Sequence, residues 1–124
     1  MKNKLAIIIP AYKARFFREV LDSIVRQSNR DFTVYIGDDA SPDDLESIVS
    51  DYKDKLDIFY FRFEQNWGGR DLVAHWERCI ELSDEPLVWL FSDDDLRAGN
   101  KGLEEVWRMR CCISLSFGYS RCVW

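Results

Sequence analysis

Two hydrophobic rhythms alternate along this chain. Short uninterrupted apolar runs take turns with stretches in which apolar residues return every three or four positions. Leu5 to Ile9 is the first run, stopped by Pro10, which cannot donate to a ladder, so it reads as a buried strand. Phe17, Val20, Leu21, Ile24 and Ser28 then follow at helical spacing and predict a helix from about Arg15 to Arg26. Phe32 to Gly37 reads as a second strand, ending at Asp38 and Asp39. Ser41 is placed to cap the next helix, with Pro42 at its first position and Asp44 completing a capping-box-like pattern. Leu45, Ile48, Val49 and Tyr52 form that helix's apolar stripe. Leu56 to Phe63 is a third strand, and Asn66-Trp67-Gly68-Gly69 a turn. Leu72, Val73, Trp76 and Ile80 predict the buried face of a third helix, and Leu87 to Phe91, bounded by Pro86, a fourth strand.

Strict alternation of strands and helices predicts an α/β fold, with a parallel sheet, right-handed crossovers and helices on both faces. In such sheets ligands collect beyond the carboxyl ends of the strands, most often where a strand is inserted on the far side of the first. Those ends carry Pro10-Ala11-Tyr12, Asp38-Asp39-Ala40-Ser41 and Ser92 to Asp95. They supply one aromatic face and two acidic clusters. Asp93, Asp94 and Asp95 repel one another unless water, a ligand or a cation offsets their charge. A hard divalent ion is one reading of the run and a solvated acidic turn the other. No phosphate-cradling glycine loop follows the first strand, so neither a dinucleotide fingerprint nor a P-loop applies.

Composition narrows the function classes. With 124 residues, 47% hydrophobic and 15% aromatic, the chain is expected to be one packed domain. Its net charge of -5 argues against a nucleic-acid partner held by a broad basic surface. Leu5 to Ile9 is too short for a secretory core or a transmembrane segment, so the expected location is cytoplasmic. Zinc is not expected, because no C-x-x-C occurs and His75, the lone histidine, has no second ligand at helical spacing. His75 reads as a helix-surface or packing residue. Met109 to Trp124 contains no Asp or Glu, whereas the residues before it hold all 22. The alternation Ile113, Leu115, Phe117, Tyr119 permits a fifth strand there, and out-of-frame sequence is the alternative.

Four stretches in order carry a resemblance: Ile-Ile-Ile-Pro-Ala-Tyr near the start, Gln27-Ser28, Tyr35 to Asp43, and Phe91-Ser92-Asp93-Asp94-Asp95. Together they resemble the family 2 glycosyltransferases of the GT-A fold, over roughly Lys4 to Trp107. The resemblance implies a Rossmann-like parallel sheet that is incomplete at its C-terminal side, with residues 1–108 as the nucleotide-sugar-binding half and 109–124 as a tail of uncertain kind. It implies transfer of a sugar from a nucleotide-sugar donor, a UDP-sugar first, with Mn or Mg bridging the diphosphate. The acceptor would be an unidentified glycan or lipid-linked molecule, which leaves room for peripheral membrane association.

Carried over residue by residue, Pro10, Ala11 and Tyr12 look like the segment along the nucleobase, and Asp39 like the carboxylate that accepts from the base edge, with Asp38 beside it. An ordinary strand-end aromatic and a turn-capping aspartate are the plainer readings of Tyr12 and Asp38. Asp93 looks like the ribose contact and a metal ligand, Asp94 like the metal ligand of the Asp-x-Asp element, and Arg70 like a donor-site contact. Ser92 stands where many members have an aspartate. The family's general base lies beyond the fourth strand, which leaves Asp95 as the catalytic candidate within this chain. The resulting expectation is a chain that binds donor and transfers no sugar, a non-catalytic donor-binding module or inactive fragment being the alternative to a working enzyme. Trp89, Phe91, Val106 and Trp107, the last two on a helix from about Leu103 to Arg108, would then risk forming an apolar patch that drives self-association.

Overall fold

The computed structural model describes residues 5–15, 17–27 and 31–90, together with the backbone of 112–114 and 120–123. The chain order is β1 (Leu5–Ala11), α1 (Phe17–Val25), β2 (Phe32–Asp38), α2 (Leu45–Ser50), β3 (Ile58–Arg62), α3 (Leu72–Ile80), β4 (Leu87–Leu90), β5 (Cys112–Ser114) and β6 (Ser120–Val123). The strands form one sheet in the order β3-β2-β1-β4-β6-β5. β1 lies between β2 and β4 and is parallel to both, β3 is parallel to β2, β6 parallel to β4, and β5 antiparallel to β6. The α/β architecture matches the expectation. Because β4 sits on the opposite side of β1 from β2, the strand order reverses at β1, and a crevice is expected at its carboxyl end.

β1 is buried on both faces, and its alternate residues serve two separate cores. Leu5, Ile7, Ile9 and Ala11 join Phe17, Val20, Leu21 and Ile24 of α1 and Leu45 and Val49 of α2. Ala6 and Ile8 pack with Cys79 and Ile80 of α3 and Val88 of β4. That two-sided burial is why β1 reads as a continuous apolar run. Trp89 is buried in the first core, so it contributes nothing to the exposed patch the sequence suggested. The free edge of β4 is taken by β6, with Leu87 opposite Cys122 and Val88 opposite Val123. Phe91, Val106, Trp107 and the Leu103–Arg108 helix lie outside the described residues.

Two local expectations are corrected. α2 begins at Leu45, and its N-cap is Asp44, whose side chain accepts from the Ser47 N–H. Ser41 is occupied instead by the Tyr12 carbonyl and the Asp43 N–H, and Asp44 can satisfy an orphan donor just as well. On α3 the predicted inward residues Leu72 and Val73 are 47% and 57% exposed, while His75, Cys79 and Ile80 are buried. The helix is rotated from its apolar stripe because polar contacts, not apolar area, fix that face.

Candidate donor-nucleotide site

The carboxyl ends of β1 and β2 are stitched together by short side chains. Ala11 O accepts from the Asp39 N–H at 2.9 Å, continuing the ladder past the strand ends. The Ser41 hydroxyl donates to the Tyr12 carbonyl and accepts from the Asp43 N–H at 3.0 Å. Asp43 in turn accepts from the Ala14 N–H at 3.0 Å. These bonds fix the loop 12–14 against the loop 41–43 and leave Tyr12 39% exposed. Between Asp39 and Ser41 the backbone of Ala40 takes a left-handed conformation, with φ of 55°. A non-glycine residue there costs on the order of 1–2 kcal/mol, and such strain is held only where neighbours over-determine the turn.

Asp38 and Asp39 are adjacent in sequence and point into different surroundings. Asp38 is fully buried; its Oδ1 caps the turn by accepting from the Ser41 N–H at 2.9 Å. Its Oδ2 accepts from the Tyr60 hydroxyl and from Arg62 Nη1, the latter at 3.1 Å. Burial, and then the bond to Asp38, push the Tyr60 hydroxyl well above its ordinary range, so it stays protonated and donating. The attraction of Asp38 raises Arg62 further.

Asp39 is held by the turn after β3 and by α3. Oδ1 accepts from the Trp67 N–H at 2.8 Å and from Arg78 Nη2 at 2.6 Å, and Oδ2 accepts from the Gly68 N–H at 2.8 Å. Its carbonyl accepts from Asn66 Nδ2 at 3.0 Å. Gly68 permits this approach: a Cβ at that position would stand 2.6 Å from Oδ2. Gly37 gives the same clearance between β2 and α3, where a Cβ would stand 2.3 Å from Cys79 Sγ. Burial pushes the Cys79 thiol up to about 12, so it packs there as a neutral group. Arg78 was not singled out in the sequence, and His75, read there as a helix-surface or packing residue, is buried and accepts from Arg78 Nε. The available signal was their spacing with Cys79, which puts a polar stripe on one face of α3.

Arg70 lies apart from this cluster. It is exposed and lines an open cleft of about 350 Å³ with Trp67, Asp71 and Ala74, connected to Asp39 through the Trp67–Gly68 turn. Asp93, Asp94 and Asp95 lie outside the described residues; β4, which precedes them in the sequence, runs parallel beside β1. Among the described residues no group of three His, Cys, Asp or Glu side chains is placed to hold a metal ion. No helix among them is long and apolar enough to cross a membrane.

The profile described as glycosyl transferase family 2 matches residues 6–108. This chain belongs to that family. An uncharacterised glycosyltransferase of Rickettsia typhi is 33% identical over 98 residues, covering 78% of this chain and 29% of the relative. The validoxylamine A glucosyltransferase of Streptomyces hygroscopicus subsp. jinggangensis is 31% identical over 105 residues, covering 82% of this chain and 24% of the relative. Among solved structures, the family 2 chain is similar to Staphylococcus aureus TarS 1-349 in complex with UDP-GlcNAc. The TM-score is 0.73 at 25% identity, over 85% of this chain and 30% of that one. The described sheet and helices are therefore those of the GT-A fold. The chain spans about a quarter to a third of the length of these relatives.

Proposed function

We propose that this family 2 chain binds the nucleotide of a nucleotide-sugar donor, a UDP-sugar first, as part of a glycosyltransferase. The observation that carries the reading is the joined ends of β1 and β2, where the Asp39 N–H donates to Ala11 O, so that an exposed aromatic, Tyr12, and a buried, fixed carboxylate, Asp39, both lie at these strand ends. An aromatic face suits stacking on a planar base, and a carboxylate suits an N–H on the base edge. Pro10 and Ala11 carry Tyr12 into position, and the buried Asp38 acts from behind by fixing the turn. The similarity to TarS, described with UDP-GlcNAc, supports a uracil nucleotide.

Asp94 and Asp93 would hold Mn or Mg, their consecutive oxygen donors being the hard ligands such ions take. When bound, a divalent ion supplies Lewis acidity that neutralises charge developing on the leaving diphosphate. Arg70, exposed at the cleft beside Trp67, would add positive charge toward the phosphates or sugar, and Asp93 also has the ribose within its assigned role. Asp95 is the candidate base for deprotonating an acceptor hydroxyl. The acceptor, a glycan or a lipid-linked sugar, would be met by parts of the fold beyond the donor half.

Calorimetry with UDP tests the reading. Binding is expected to require Mn or Mg and to lose that dependence in Asp94→Ala. Equally tight UDP binding with a chelator present would contradict it.

A further inference from the structure

Arg78 approaches the Asp39 carboxylate from α3 and is fixed from several directions. Its guanidinium lies 3.9 Å from the Phe63 ring centroid and 4.1 Å from that of Trp67. Nη2 donates to Asp39 Oδ1 at 2.6 Å and to the Gln65 carbonyl at 2.9 Å, while Nε donates to His75 Nδ1 at 3.0 Å. A guanidinium has no acceptor, so His75 Nδ1 must offer a lone pair, which assigns the neutral imidazole with its proton on Nε2. Nε2 stands 3.6 Å from Cys79 Sγ. The 3.6 Å approach of His75 Nδ1 to Asp39 is consequently not an ion pair, and the positive charge against Asp39 comes from Arg78.

A carboxylate offers about four acceptor positions. The Trp67 N–H and Arg78 take those of Oδ1, and the Gly68 N–H takes one on Oδ2. We infer that Arg78 is a positioning residue which, with these two amides, turns the remaining acceptor position of Asp39 Oδ2 toward the ring N–H of a donor nucleobase. The inference rests on the reading of Asp39 as the base acceptor and adds the source of its selectivity. Uracil presents a ring N–H on its pairing edge; cytosine presents a bare ring nitrogen at the same place. A carboxylate locked by three donors cannot rotate away from that lone pair, so it rejects cytosine by repulsion as well as accepting uracil.

Titration calorimetry with uridine and cytidine separates the possibilities. In Arg78→Met the side chain can still pack between Phe63 and Trp67 but lacks charge and donors. Uridine binding is expected to weaken about tenfold or more, as for loss of a charged hydrogen bond, and the uridine-to-cytidine ratio to fall toward one. In an Asp39→Ala background the same change is expected to cost nothing further. A merely structural arginine would lower Tm and leave the ratio unchanged, and that result overturns the inference. If Asp39→Ala alone loses uridine affinity while Arg78→Met keeps both affinity and ratio, the clamp falls and the base reading stands. If Asp39→Ala leaves uridine affinity unchanged, the base reading falls and takes the clamp with it. Should Arg78→Met fail to fold, Gly68→Ala carries the test, because its Cβ displaces Oδ2 with Arg78 in place. Loss of discrimination is expected there, and an unchanged ratio overturns the inference.

Discussion

The two faces of the sheet are built on different principles. Against α1 and α2 the sheet buries a broad apolar core, reaching from Leu5 and Phe32 to Tyr52 and Trp89. Against α3 the buried apolar cluster is smaller, Ala6, Ile8, Cys79, Ile80 and Val88 with partly buried Tyr35, Phe63 and Leu90 against it, and the helix is also anchored by directional bonds. The first face supplies stability that depends on area and volume. The second supplies a fixed geometry at the end of β2, where the candidate donor site lies. A change on one face should therefore register mainly as stability, and a change on the other mainly as ligand recognition.

Truncation in the broad core should have the largest effect on stability. Ile7→Ala removes a fully buried branched side chain from the α1 and α2 face and is expected to cost about 2–5 kcal/mol by denaturant unfolding. Uridine affinity of the folded fraction should not change; if it falls with stability, the two faces are not separable in this way. Gly37→Ala comes next, at about 1–3 kcal/mol, since its Cβ would meet Cys79 Sγ at 2.3 Å and Phe63 at 3.1 Å. Because α3 would be pushed away from β2, this variant should also weaken uridine binding, unlike Ile7→Ala. The smallest effect is expected from Leu72→Ser together with Val73→Ser, within about 0.5 kcal/mol per site, because both side chains are exposed. A loss of several kcal/mol in that double variant would mean that α3 buries its apolar stripe after all.

This contrast also decides what could be read in advance. Hydrophobic periodicity reports apolar burial, so it located β1, α1, β2 and the stripe of α2, whose Leu45 and Val49 are buried. It misdirected α3, where Leu72 and Val73 match the period but His75 and Arg78 make the contacts that set the rotation. Ser41 misled for a related reason: a hydroxyl at a helix start has several backbone partners within reach, and here the Tyr12 carbonyl and Asp43 amide take it. For the candidate site, strand order alone located the carboxyl ends of β1 and β2, at Pro10 to Tyr12 and Asp38 to Ser41, while the choice of Tyr12 and Asp39 there came from the family resemblance. Arg78 was not legible, since it lies 39 residues from the carboxylate it holds and only the crossover of α3 over β2 joins them.

If a donor base is read at Asp39, between Tyr12 and the Trp67–Gly68 turn, the change is visible at the carboxylate's own partners, because the Trp67 and Gly68 amides donate to it. Backbone amide spectra of the isotopically labelled chain, recorded as uridine is added, observe those partners one by one. Saturable shifts of the Trp67, Gly68 and Tyr12 resonances are expected, and they should disappear in Asp39→Ala. Shifts confined to residues away from the ends of β1 and β2, or unchanged in Asp39→Ala, would contradict recognition of the base at this carboxylate.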